Sequence, residues 1–153
     1  MNILDGLAAC AGDYRGTNWL QDPQTNSPDD SPATATVTLV LGGRFVRFDY
    51  TWGYRGSPQA GSMLFGYDST TKSITAHWID SWHMGDKAMA CQGPAPGNGV
   101  LSVRGSYAAP PDPDWGWRID VHPMEGRFIR LVMFNISPDG KEELAVEATY
   151  TRA

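Results

Sequence analysis

Thr34-Ala35-Thr36-Val37-Thr38-Leu39-Val40-Leu41-Gly42-Gly43-Arg44-Phe45-Val46-Arg47-Phe48-Asp49-Tyr50-Thr51-Trp52 is the stretch that decides the fold. Before the glycine pair, Thr34, Thr36 and Thr38 alternate with Ala35, Val37, Leu39 and Leu41. After it, Val46, Phe48, Tyr50 and Trp52 alternate with Arg47, Asp49 and Thr51. A period of two residues is that of a strand with one face buried and one face wet. Gly42-Gly43 allows positive φ at both central positions of a tight turn, so the two runs form an antiparallel hairpin. Arg44 to Tyr54 is the clearest strand of the chain.

The same rhythm extends in both directions. Gly12 to Leu20 reads as the first strand, and Gln21 to Pro32, rich in Pro, Asn, Asp and Ser, as an exposed mobile loop. Downstream, strands are expected over Gly61 to Tyr67, Ser73 to Trp82, Lys87 to Gln92, Gly99 to Tyr107, Trp115 to His122, Gly126 to Ile136 and Glu142 to Arg152. A proline-rich loop is expected at Ala109 to Pro113 and a turn at Pro138-Asp139-Gly140. About ten short strands separated by turn signals make an all-β chain, and consecutive hairpins close most simply into an antiparallel up-and-down barrel without exposed edges. Upstream, Asn2 could cap a short helix whose Ile3, Leu4, Leu7 and Ala8 form an apolar stripe. A helix that short must dock on something, so residues 1–11 are expected to cap one end of a barrel formed by 12–152.

Composition narrows the function classes. With 153 residues, 41% of them hydrophobic, one domain spanning 1–153 is expected. The net charge of −5, from 17 acidic and 12 basic residues without a basic run, argues against nucleic acid as a partner. No stretch approaches the roughly twenty apolar residues needed for a membrane helix. Leu7-Ala8-Ala9-Cys10 looks like a lipoprotein cleavage site, but the five residues from Asn2 to Gly6 include Asp5 and form no apolar core, so a helix end is the better reading. Cys10 and Cys91 form no CxxC motif and read as reduced thiols of a cytoplasmic protein.

The chemistry concentrates in His77-Trp78-Ile79-Asp80-Ser81-Trp82-His83. In a strand, Trp78, Asp80 and Trp82 share one face, which sets a carboxylate between two indoles. Such a carboxylate needs a partner, a ligand or a raised pKa. Asp80 is therefore either a ligand contact or a strand-end aspartate satisfied by nearby loop amides. If apolar faces point inward, the lining comprises Tyr50, Trp52, Trp78, Asp80, Trp82, Met89, Trp117 and Phe134. The same aromatics would serve a fully packed core. Arg130 shares its face with Phe128, Val132 and Phe134 and is expected to reach inward, toward Asp80 or an anionic head group. Arg118, beside Trp117, is a further candidate despite an outward prediction.

His77 and His83 lie six residues apart, too far along a strand to hold one ion, and His122 precedes a proline. No Cys/His cluster has zinc-ligand spacing, and no catalytic motif is present, so neither a metal, a cofactor nor a catalytic residue is assigned.

Gly12-Asp13-Tyr14-Arg15-Gly16 resembles the Gly-x-Trp-x-Gly opening of the calycin barrels (lipocalins, fatty-acid-binding proteins and nitrobindin-like proteins), with Tyr14 in place of tryptophan. Tyr150-Thr151-Arg152 is similar to their closing strand. The resemblance implies that Arg152 packs across Tyr14 at the closed end, a cation–π contact. Gly43-Arg44-Phe45-Val46, Gly66-Tyr67-Asp68, Trp78-Ile79-Asp80-Ser81, Trp117-Arg118 and Gly140-Lys141-Glu142 resemble, in order, a bacterial calycin-like family of unknown function. That resemblance implies a barrel fold and no established activity. The aromatic and methionine lining leads to the expectation of a barrel that binds a small hydrophobic or amphipathic molecule, with Asp80 or Arg130 orienting its polar end. A single-histidine haem site occurs in nitrobindin-like relatives, and no residue here is marked as its ligand. The alternatives are an isomerase, cyclase or hydrolase acting on an apolar substrate, and a homodimer using Trp19 or Trp115.

Overall fold

A computed structural model describes residues 3–124 and 126–153. A short helix, α1 (Asp5–Ala8), precedes ten strands: β1 (Gly12–Asp22), β2 (Ser27–Val40), β3 (Phe45–Tyr54), β4 (Ser57–Asp68), β5 (Ser73–Asp80), β6 (Met89–Pro94), β7 (Leu101–Ala109), β8 (Asp112–Met124), β9 (Phe128–Ile136) and β10 (Glu142–Arg152). Each strand pairs antiparallel with its chain neighbour, and β10 pairs with β1, which closes the barrel. Closure leaves no free sheet edge.

The expected hairpin is present. Val46, Phe48, Tyr50 and Trp52 all point to the core, and Gly42 and Gly43 take φ of 68° and 90°. Gly16 sits on the closing seam with its Cα against the Thr149 carbonyl, where any Cβ would collide with backbone, so this position requires glycine.

Three expectations need correction. Gln21 to Pro32 is not a loop: β1 and β2 run on to Asp22 and from Ser27, leaving a turn over 23–26. Turn residues in sequence mislead here because β2 pairs with β3 only from Thr34 onward. Pro28 and Pro32 have the parity of Thr34, whose amide turns toward β3, so their missing N–H groups fall where no ladder exists. Ala109 to Pro113 is likewise a tight turn, with Ala109 paired to Asp112. The strand expected to reach Trp82 stops at Asp80. The capping role given to Asn2 lies outside the described residues.

The two ends of the barrel differ. α1 plugs one, burying Leu4, Leu7 and Cys10 in the main core. Beside it, Tyr14 donates its hydroxyl to the Cys10 carbonyl at 2.7 Å, and the Arg152 guanidinium lies 5.1 Å from the Tyr14 ring centre. The opposite end carries the turn over 23–26, the β3–β4 turn, the segment over 81–88, the β7–β8 turn and the β9–β10 turn. Among the described residues no helix is long and apolar enough to cross a membrane.

Candidate functional site

The open end is built on one row across three strands. Tyr50 of β3 pairs with Gly61 of β4, which pairs with Asp80 of β5. A side chain at position 61 would occupy the space of the Tyr50 ring. With glycine there, the ring crosses β4 and its hydroxyl donates to Asp80 Oδ2 at 2.6 Å. Trp52 Nε1 donates to the same oxygen at 3.2 Å, and Trp78 Nε1 donates to the Tyr50 hydroxyl at 2.9 Å.

Asp80 also explains why β5 stops. Its Oδ1 accepts the backbone amides of Trp82 and His83, both at 2.8 Å, while its carbonyl accepts those of Met84 and Gly85. An aspartate that captures amides two and three residues on turns the chain out of the ladder. Gly85, at φ 62°, completes the bend. The buried carboxylate thus has four donors, which is what a buried charge requires. Burial, and then the Asp80 charge, push the phenols of Tyr50 and Tyr150 above their ordinary range.

The bend delivers Trp82 and His83 to the barrel mouth. The His83 ring lies 5.4 Å from Trp52, 5.7 Å from Trp78, 4.8 Å from Trp82 and 5.3 Å from Trp117, so four indoles surround one imidazole. Trp78 and Trp117 stack nearly parallel at 5.4 Å. This burial lowers the His83 pKa to about 4, against the opposing pull of Asp80, and leaves the imidazole neutral at neutral pH. Among the described residues no protein group hydrogen-bonds its ring nitrogens, and Trp117 Nε1 is buried without a partner.

In front of this cluster opens a cavity of about 530 Å³. Its wall includes Leu20, Trp78, Trp82, His83, Met89 and Trp117, with Tyr107 and Asn135 joined by a 2.6 Å hydrogen bond on one side. Lys87 and Glu143 supply the charged groups of the wall.

The expected site residues therefore divide into three groups. Trp78, Trp82, Met89 and Trp117 line the cavity. Tyr50, Trp52 and Asp80 stand behind it as a hydrogen-bonded support. Arg118, Arg130 and Phe134 lie elsewhere. Arg130 binds Glu147 at 3.0 Å on the outer face, far from its expected pairing with Asp80. Arg118 lies over the Phe134 ring at 4.1 Å and pairs with Glu142 at 2.6 Å. The inward set of β9 is Ile129, Leu131 and Met133. Nearly every position of β9 is apolar, so alternation could not choose its face, and pairing with β8 and β10 decides it.

His83 is the residue that sequence reasoning undervalued. Continued extended past Trp82, the chain would put it on the same outward face as the exposed His77, whereas the bend at Asp80 sends it inward. The available signal was a strand-end aspartate with a glycine five residues later. Among the described residues no group of three His, Cys, Asp or Glu side chains could hold a metal ion.

These features define a closed ten-stranded barrel, plugged at one end and holding an aromatic cavity at the other. Over residues 5–152 the sequence matches the family described as "Protein of unknown function (DUF1579)", and the chain belongs to that family. No curated protein matches it in sequence. In structure it is similar to Rv2717c from M. tuberculosis, with a TM-score of 0.67 and 11% identity, covering 100% of this chain and 98% of that one. That likeness shows a shared fold. A protein of unknown function from the DUF3598 family of Nostoc punctiforme also aligns, with a TM-score of 0.47, 9% identity and 96% of this chain on 49% of that one.

Proposed function

We propose that this protein is a binding barrel that takes a small hydrophobic or amphipathic molecule into the cavity at its open end. The observation that carries the reading is the cavity itself: about 530 Å³, walled on one side by Trp78, Trp82, Trp117, Met84 and Met89, with polar side chains such as His83, Tyr107 and Asn135 among them. Sites for small molecules are commonly of this size and character. Asp80 has no spare capacity for a ligand, because four protein donors already satisfy it. Its role is to hold the segment that carries Trp82 and His83.

The calycin-like reading is supported by the ring of consecutive antiparallel strands and by Arg152 stacked on Tyr14 beside the first and last strands. The free thiols of Cys10 and Cys91 agree with a reducing, cytoplasmic setting.

The test is a screen of lipids, haem and aromatic metabolites read by tryptophan fluorescence and melting temperature. Three of the six tryptophans line the cavity, so an occupant should change the emission. If no compound moves either signal, the binding reading fails.

A further inference from the structure

The polar chemistry of the cavity wall deepens this reading and rests on it. Among the described wall residues only Lys87 and Glu143 carry formal charge. Both lie at the mouth, with side chains 78% and 67% exposed, and each already has an opposite charge 3.5 Å away, Asp86 for Lys87 and Lys141 for Glu143. Among the described residues no arginine lines the cavity. A ligand carboxylate drawn in among the tryptophans would therefore leave water without meeting a buried cation, at a large desolvation cost.

The unmet hydrogen-bonding groups at the inner wall are neutral. They include the ring nitrogens of His83, which lines the cavity and has no protein hydrogen-bond partner for its ring among the described residues. A neutral imidazole offers one N–H donor and one nitrogen acceptor. A hydroxyl can meet either nitrogen, donating through its hydrogen to the bare one or accepting at its oxygen from the N–H. The surrounding indoles offer flat apolar faces suited to an aromatic or fused-ring body.

From this geometry we infer that the ligand is an uncharged molecule with a flat apolar body and a hydroxyl, a phenol or ring alcohol, whose hydroxyl is received by His83. Selection runs against carboxylates because the inner wall has nothing to neutralise them. It runs against plain hydrocarbons because they leave the imidazole without a partner.

Three probes of matched shape test this at neutral pH by isothermal titration: 2-naphthol, 2-naphthoate and naphthalene. Nile red, uncharged and larger, serves as an independent probe of the cavity. The expected order is naphthol first, with naphthalene about fivefold weaker for one lost hydrogen bond and naphthoate more than about tenfold weaker. In His83→Phe the gap between naphthol and naphthalene should close, while in His83→Gln, which keeps a donor and an acceptor, it should survive. Naphthoate binding as tightly as naphthol would overturn the inference and leave the cavity reading intact. So would an unchanged gap in His83→Phe, or Nile red binding without naphthol. Failure of all four probes would remove the inference and the binding reading together.

Discussion

Each end of this barrel joins an aromatic side chain to a charged one, and the outcomes are opposite. At the closed end Arg152 covers Tyr14 and spends its N–H groups on the backbone carbonyls of Ala11 and Gly126, while Tyr14 donates to Cys10. Those bonds tie α1 and the β8–β9 turn into a plug. At the open end Asp80 gathers Tyr50, Trp52 and the amides of Trp82 and His83, which ties down the rim and leaves the barrel's centre accessible. The difference comes from the attached segments. A cation reaching outward carbonyls seals a hole, whereas an anion collecting amides bends a loop around one.

The largest effect expected from breaking this contrast is at the open end. Asp80→Ala strands two buried and two part-buried donors and should lower unfolding free energy by about 3–5 kcal/mol in urea denaturation, with a red shift of tryptophan emission as Trp82 loosens. A loss under about 1 kcal/mol would mean that the rim does not depend on this carboxylate.

Acid should probe the same end. Folding holds the His83 pKa near 4, below the ordinary value of 6.5. Between these values the unfolded chain binds more protons than the folded one, so stability rises with pH. The contribution is complete above about pH 6.5 and lost toward pH 4, on the order of 3 kcal/mol in all. His83→Phe should flatten that part of a stability–pH curve, and a slope unaltered by the substitution would place the titration elsewhere.

At the closed end, Tyr14→Phe keeps the ring under Arg152 but frees the Cys10 carbonyl. The expected loss is about 1–2 kcal/mol, with ligand-probe affinity at the far end unchanged. A change in that affinity would show that the two ends are coupled. Smallest of all, Arg130→Ala removes a partly exposed ion pair and should cost less than about 1 kcal/mol, again without effect on binding. Altered binding in this variant would return Arg130 to the site.

Legibility from sequence followed the contrast between half-buried and fully apolar strands. β3 and β8 alternate cleanly, and the inward faces read for them, Val46 to Trp52 and Trp117 to Val121, are the buried ones. β9 carries apolar residues on both faces, so Arg130 and Phe134 were assigned to the wrong side. Pro28 and Pro32 read as loop because a proline's lost N–H matters only where a neighbouring strand wants it, and that neighbour cannot be seen locally.

By itself the sequence determined the all-β class, the hairpin at Gly42-Gly43, the docked helix and the importance of the stretch around Trp78 and Asp80, because these rest on period, turn chemistry and composition. Tertiary structure alone decided that Asp80 supports the wall and does not line it, that His83 rather than an arginine meets the cavity, and that an interior space remains. Those outcomes depend on which strands lie side by side. Only that pairing brings Tyr50 across Gly61 to Asp80 and turns the following loop inward.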